Sequence, residues 1–331
     1  MSVNKQIILD SRPTEKVSAS NFRFTESPIP SAREGQIVVR HHYLSLDPYM
    51  RGRLSDAKSY AKPQEVGAVM GGGAVGEVIE ARHEHFKAGD LVVGPGGWQE
   101  YSLSDGTGWM KVGDPSIPLS AYLGVVGMPG VTAWYGLNEI IKPKEGETVV
   151  VSAASGAVGG VVGQLAKAKG ARVVGIAGGP EKCAYVREEL GFDACVDHRS
   201  PNFADEMKAA LPKGLDGLFE NVGGEPFQQC LRHINDFARV AICGLIASYE
   251  GAPTIMPDMR LFLVRRFKIE GFIVSDHLPL WPKALEELAG LVASGKLRYR
   301  ETIREGLEAT PQALVDLLHG GNFGKMAVKL V

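Results

Sequence analysis

The sequence predicts an α/β chain in two parts, a doubly wound parallel sheet and a β-rich, curled antiparallel barrel. Three observations predict it. The chain has 331 residues, more than one ordinary core needs and too few for three full domains, so two domains are expected. Up to residue 123 the apolar runs are short and bounded by Gly, Asp or Pro, as in GQIVVRHHYLSLD, GGGAVGEVIEA and GDLVVGPGGWQEYSLS, which is the pattern of a small barrel. From Gly124 strand and helix alternate, which is how βαβ units of a parallel sheet read.

ETVVVSAA is a buried strand by its continuous β-branched run, and GAVGGVVGQLAKAKG is a helix closed by Gly170 at the C′ position. The unit then repeats: ARVVGIAGG precedes the helix PEKCAYVREELG, ACVDH precedes FADEMKAALPKG, and GLDGLFENVGG precedes EPFQQCLRHINDF. RVAICGLIA and KIEGFIV supply two further strands, with ICGLIA and GFIVS read as core, so about six strands make a doubly wound dinucleotide domain. After the helix PLWPKALEELAGLVASGK come LRYRETI, the helix TPQALVDLLHGG and a closing strand KMAVKLV, read as a return to the first domain. The expected boundaries are 1–123, 124–296 and 297–331.

Composition is that of a globular protein, 44% hydrophobic and 22% charged, while 41 glycines imply many tight turns and close backbone approaches. A net charge of −2 without a basic block gives no argument for nucleic acid or a membrane as partner. LVRRFK, at 263–268, is read as a helix's solvated edge or part of a subunit contact. Cys183, Cys195, Cys230 and Cys243, placed on predicted helices and strands, show no CxxC spacing, so neither disulfides nor zinc is expected. MSVNKQIILDSRP is neither a secretory leader nor a membrane span, and a cytoplasmic setting is the expectation.

The chemistry begins where the first buried strand meets its helix. Ala154, Ser155, Gly156, Ala157, Val158 and Gly159 have the spacing A-x-G-x-x-G, with Ala154 where the commoner fingerprint has glycine. Gly156 lets the backbone approach a pyrophosphate, Gly159 lets helix pack on strand, and the helix N-terminus offers its free amides. Strand, turn and helix together make this a Rossmann dinucleotide site rather than a merely tight turn. NAD enzymes hold the ribose hydroxyls with an Asp or Glu about 20 residues on. Here that place reads Ala177-Gly178-Gly179, which offers no carboxylate to repel a 2′-phosphate. Lys182 is within reach as a point charge, with Arg199 to assist, so NADP(H) is the expected cofactor; the alternative leaves Lys182 a solvated helix residue.

With these residues read, the chain resembles the medium-chain dehydrogenase/reductase superfamily, and within it the zinc-independent leukotriene/prostaglandin reductase-like enzymes, which include alkenal double-bond reductases and curcumin reductase. The resemblance runs through LSLDPYMRGR, VVSAASGAVGGVVGQLAK, GGPEKCAYV, ENVGG, CGLIASY, EGFIV and GGNFGKMAVKL, in that order along nearly the whole chain. It implies a GroES-like, partly open barrel as catalytic domain, interrupted by the Rossmann domain, and homodimers. It also implies hydride transfer from NADPH to the β-carbon of an α,β-unsaturated ketone or aldehyde. By the same resemblance Lys182 meets the 2′-phosphate, and Asn221, Cys243, Gly244, Leu245, Ile246, Tyr249, Phe272, Ile273, Val274 and Asn322 line the rest of the cofactor. His198 stands where the family commonly has a tyrosine against that phosphate; a surface histidine beside Asp197 is the alternative.

No zinc ligand set is legible: SLDPYM and MGGGAVGE stand where zinc relatives carry their ligands, and His83-Glu84-His85 reads as a solvated loop. Without metal, the reaction needs a positioned hydride donor and a hydrogen-bond donor to the oxygen that becomes negative. Tyr249 is the first candidate for that donor, the alternative being an aromatic wall with the cofactor's ribose hydroxyl donating instead; Tyr49 is a second pocket candidate and otherwise packs between the domains. Arg51 either meets a substrate carboxylate or forms an ion pair between the domains. The loops between Ser55 and Val66 and between Tyr249 and Met259 are expected to shape the pocket. An NADPH-dependent quinone oxidoreductase and an NADPH-binding sensor or structural protein with little turnover remain the competing functions.

Overall fold

A computed structural model describes residues 3–114, 116–251, 254 and 256–331. The chain divides into two compact units, Met1–Leu123 with Glu301–Val331, and Gly124–Arg300. Among the described residues no helix is long and apolar enough to cross a membrane.

The first unit opens with an antiparallel pair, β1 (Val3–Leu9) and β2 (Phe22–Pro28). Then follow β3 (Ile37–Leu46), the single turn α1 (Met50–Arg53), β4 (Ala74–Ala81), β5 (Leu91–Gly94), β6 (Tyr101–Ser104) and β7 (Met110–Lys111). GDLVVGPGGWQEYSLS is thus two strands, β5 and β6, separated by its Gly-Pro-Gly-Gly turn.

The second unit starts with α2 (Met128–Tyr135), which continues into a π-helical turn at Gly136–Ile141 that the sequence pattern did not reveal. Five strand–helix units follow: β8 (Thr148–Ser152) with α3 (Gly159–Ala168), β9 (Arg172–Ala177) with α4 (Pro180–Glu188), β10 (Ala194–Asp197) with α5 (Phe203–Ala210), β11 (Leu215–Glu220) with α6 (Gly224–Arg232), and β12 (Ile234–Ile242) with α7 (Met259–Arg265). β13 (Lys268–Gly271) and α8 (Trp281–Ala293) complete it. The strands form one six-stranded sheet, β10-β9-β8-β11-β12-β13, every neighbouring pair parallel. Order reverses between β8 and β11, so the crevice at their carboxyl ends is where this architecture binds ligands. β8 is buried at every position, as a central strand covered on both faces must be. Val150, Val174, Leu218, Phe227 and Val240 lie in the core between sheet and helices.

The chain closes with β14 (Glu301–Glu305), α9 (Thr310–Leu318) and β15 (Lys325–Lys329), which belong to the first unit. Its sheet runs β14-β15-β3-β4-β5-β7, with β6 also on β3. The expectation of an antiparallel barrel is corrected at one pair: β14 and β15 are parallel, because α9 is a crossover rather than a hairpin. Lys325 and Asp47 form a nearly buried ion pair at 2.8 Å, with Ser45 donating to the second carboxylate oxygen, and this fixes the end of β3 where it turns towards Tyr49.

Three local readings change. INDF belongs to β12 and not to the preceding helix, since Ile234 already pairs with Leu215; a register shift and a positive φ of 62° at Phe237 break the apolar alternation there. ICGLIA and GFIVS are not core strands. β12 ends at Ile242 and β13 at Gly271, and beyond them Cys243 and Gly244 curl back to give their amides to the Glu220 carbonyl at 2.8 and 3.2 Å. Cys243 therefore sits in a loop, not on a strand. Gly170 does close α3, with φ of 78°, and LVRRFK is the end of α7, where Arg265 and Arg266 both pair with Asp236.

Candidate functional site

β8 leaves the sheet through Ala153, whose φ of 49° turns the chain sharply enough for the Gly156 amide to reach the Ala153 carbonyl at 2.9 Å. A side chain at Gly159 would run into that same carbonyl, so the helix can start close to the strand only with glycine there. Ala154 replaces the usual glycine at no cost because its methyl faces Gly175 on β9; a Cβ on Gly175 would stand 2.8 Å from it. Among the described residues the amides of Ala157, Val158 and Gly159 donate to no main-chain carbonyl. They are the free N-terminal donors of α3, at its positive dipole end, and suit a pyrophosphate.

Asn221 ties β11 to β8 beside this turn. Its amide nitrogen and side-chain nitrogen donate to Ser152 Oγ and to the Ser152 carbonyl, each at 2.8 Å. Ser152 Oγ in turn donates to Glu220 Oε1 at 2.8 Å, and the Val222 and Gly223 amides donate to the same oxygen. Burial pushes the Glu220 carboxyl above the usual carboxylate range. The network holds the ends of both central strands in fixed register where the sheet order reverses.

At the tip of β9 the structure explains why no acid stands at position 178. A Cβ on Gly178 would lie 2.8 Å from His198 Nε2 and 3.0 Å from Arg199 Nε, so the place of an NAD-type carboxylate is taken by two bases. Asp197 is committed elsewhere, accepting the amides of Gly179 and Arg199 at 2.8 and 2.9 Å. Burial, then the Arg199 charge, lowers both the Lys182 ammonium and the His198 imidazole pKa. Closely placed basic side chains at this position suit an anionic group such as a phosphate.

A cavity of about 480 Å³ opens past the ends of β12 and β13, lined by Ile242–Leu245 and Tyr249 on one side and by Gly271–Ile273, Asp276 and His277 on the other. It gathers Cys243, Gly244, Leu245, Tyr249, Phe272 and Ile273 from the sequence-predicted set. Val274 and Ile246 are neighbours in the chain but not lining residues. Burial raises the pKa of the Tyr249 phenol against the opposing pull of the nearby Leu245 backbone, so the phenol keeps its proton. Burial and nearby Glu220 push the Cys243 thiol up to about 12, which keeps it protonated. Behind the cavity Phe272 packs on Tyr135 at 5.3 Å and edge-on to Phe219 at 6.1 Å. Tyr135, Asp276 and His277 escaped the sequence reading; the only signal was the adjacency of Asp276-His277 to EGFIV.

Tyr49, Arg51 and Asn322 belong to the first unit. Tyr49 packs against that unit's core, its pKa raised by burial and then by Asp47. Arg51 donates to the Glu15 carbonyl at 2.9 Å, and Asn322 donates to the Gly324 carbonyl at 2.7 Å. The Ser55–Val66 segment is largely solvent-exposed. Of the stretch between Tyr249 and Met259, Ala252, Pro253 and Ile255 lie outside the described residues. Among the described residues no three His, Cys, Asp or Glu gather as a metal ligand set, and His83 and His85 are ring neighbours at 5.6 Å on an exposed loop.

The glycine turn after β8, the reversed strand order and the bases beyond β9 fit a dinucleotide-dependent oxidoreductase fold. Residues 5–112 match the N-terminal domain of oxidoreductase, and residues 157–290 match the family described as zinc-binding dehydrogenase. The chain is 45% identical to NADPH-dependent curcumin reductase of Escherichia coli (strain K12), over 99% of this chain and 97% of that one. It is 40% identical to the 2-alkenal reductase (NADP(+)-dependent) of Nicotiana tabacum, over 98% and 97%. The crystal structure of CurA in complex with NADPH from Vibrio vulnificus superposes with a TM-score of 0.94 at 45% identity, covering 99% of both chains. The chain belongs to the zinc-independent, NADP(H)-dependent enone/alkenal reductase-like family of the medium-chain dehydrogenase/reductase superfamily.

Proposed function

We propose that this chain reduces the carbon–carbon double bond of α,β-unsaturated ketones and aldehydes, with hydride delivered from NADPH to the β-carbon and no metal taking part. The observation that carries the reading is the place of Tyr249 in the lining of the cavity, where burial keeps its phenol protonated and so able to donate to a substrate oxygen. NADPH supplies the hydride when bound. Lys182, His198 and Arg199 hold its 2′-phosphate, the α3 amides hold the pyrophosphate, and the Cys243–Ile246 and Phe272–Val274 segments bound the nicotinamide end. Tyr249 then stabilises the charge that gathers on the carbonyl oxygen as the enolate forms. A positioned donor of that kind is worth about 3 kcal/mol of barrier. Burial serves this role, since a raised phenol pKa keeps the donor protonated.

The same reading takes a small unsaturated carbonyl as the partner, a cytoplasmic setting, and a homodimer whose contact includes the β13 edge and the exposed apolar side chains of Met259 and Leu263. The test is NADPH consumption against a panel of enones, alkenals, quinones and saturated ketones, with product identification. Reduction of enones at the double bond is the expected result. Turnover of quinones alone, or tight NADPH binding without turnover, would replace it with a quinone reductase or a sensor.

A further inference from the structure

We propose that His277 is the proton donor that completes the reduction, protonating the α-carbon of the enolate while Tyr249 holds its oxygen. The proposal rests on the enone-reductase reading above and adds the second proton position that reading lacks. His277 lines the same cavity as Tyr249. Its ring lies flat on Tyr135, with centroids 4.0 Å apart and 19° between planes, and Tyr135 is itself 8% exposed. The backbone is shaped for this contact: His277, at φ −119° and ψ 32°, interrupts the 3-10 run Val274–Leu280, and Trp281 Nε1 pins that run by donating to the Val274 carbonyl at 3.1 Å. One face of the imidazole is thus covered. Its ring nitrogens have no hydrogen-bond partner among the described residues, although the ring is half-buried.

The cavity's other polar side chains do not suit the task. Tyr249 and Cys243 are held protonated by burial, and Asp276, though it lines the cavity, is solvent-exposed. Imidazole is the side chain whose proton moves readily near neutral pH. The groups facing it are Tyr135 beneath, Asp276 before it in the chain, and Tyr249 and Cys243 from the β12 side.

The step balances. Hydride from NADPH forms the Cβ–H bond, and the π pair of the double bond moves to give the enolate. The enolate pair then forms the Cα–H bond with the imidazolium proton, the carbonyl is restored, and neutral imidazole regains a proton from solvent. NADPH is oxidised and the double bond reduced.

Run in reverse, the same group removes an α-proton from the saturated ketone, which gives a test that needs no hydride transfer. Exchange at the α-methylene of 4-phenyl-2-butanone is followed in D₂O without cofactor, for wild type, His277→Phe and His277→Gln. The phenylalanine keeps an aromatic ring on Tyr135, and the glutamine keeps hydrogen-bonding capacity without a transferable proton. Reduction of 3-methyl-4-phenyl-3-buten-2-one is followed in parallel, with early readout of the configuration at the α-carbon and of NADPH affinity. Wild type is expected to accelerate exchange and to give one α-configuration. Both variants should bind NADPH as wild type does, lose about 10²-fold in turnover, exchange no faster than buffer and give mixed α-configuration. Wild-type exchange or an undiminished single configuration in both variants overturns the assignment, as does a wild type that accelerates no exchange. A wild type that reduces no conjugated carbonyl overturns the parent reading and this assignment with it. Unaltered variants alongside an active wild type sink this assignment alone.

Discussion

His198 Nε2 lies 2.8 Å from the point where a side chain on Gly178 would begin. The missing acid and the added base are therefore one arrangement, since the imidazole and the Arg199 guanidinium fill the space an aspartate would need. Gly178→Asp should displace both groups and place a negative charge against the phosphate site. We expect NADPH affinity to fall by about 10²-fold, in line with ~1 to 3 kcal/mol for each charge-assisted hydrogen bond removed, while NADH affinity changes little or improves. Fluorescence titration with both cofactors measures it, and equal losses would remove the 2′-phosphate assignment.

Lys182 carries the same expectation from the opposite side. Lys182→Ala removes a half-buried ammonium whose pKa is lowered by burial and then by Arg199. NADPH binding should weaken by about 1 to 3 kcal/mol and NADH binding by almost nothing. A parallel weakening of both cofactors would mean that the residue only supports α4.

The turn at Ala153–Gly159, the six-stranded sheet and the missing acid were legible because each is a local pattern. Continuous β-branched residues mark β8, and Gly170 marks the end of α3. Much of the cavity's lining was reached through the family resemblance, and the apolar pattern alone did not show it, for a physical reason. Leu245, Phe272 and Ile273 are apolar, and an apolar wall of a ligand site has the same pattern as a buried strand. Only the hydrogen bonds of Cys243 and Gly244 to Glu220 reveal the turn away from the sheet. Tyr135 and His277 meet from distant segments, so no spacing rule joins them.

His198 should make NADPH affinity depend on pH. Burial, then Arg199, lowers its pKa below the usual value of 6.5, while Asp197 opposes the shift. A bound phosphate favours the charged form, so binding raises the pKa and takes up a proton. NADPH affinity should therefore increase as pH falls from about 7.5 to about 6.5, and NADH affinity should stay flat. Calorimetry in buffers of different ionisation enthalpy measures the uptake directly. His198→Tyr, which restores the family's residue, should abolish it.

Tyr249→Phe removes the hydroxyl of this cavity-lining residue but keeps the ring. Turnover with an enone should drop by about 10²-fold, with NADPH affinity within about twofold of wild type, because the interaction forms only as charge reaches the oxygen. An unchanged turnover number would leave the ring as a wall of the cavity.

In the first unit, His41 predicts how stability responds to acid. Its Nδ1 lies 2.7 Å from the Gln99 carbonyl, which can only accept, so Nδ1 carries the hydrogen and Nε2 accepts from Ser102 Oγ at 2.8 Å. The ring is wholly buried, and burial lowers its pKa from 6.5 to about 4 despite the carbonyl's opposing pull. In the unfolded chain the histidine protonates near 6.5. Between that pH and about 4 the unfolded state binds a proton the folded state refuses, so stability present above 6.5 is lost progressively as pH falls through this window. The two values differ enough for about 3 kcal/mol, and the loss levels off below pH 4 for this group. Urea unfolding at intervals between pH 7 and 4 measures the slope. His41→Gln, which offers one donor and one acceptor but no titrating ring, should be less stable at pH 7 and should lose less on acidification. Parallel curves for the two proteins would show that His41 is not the residue being titrated.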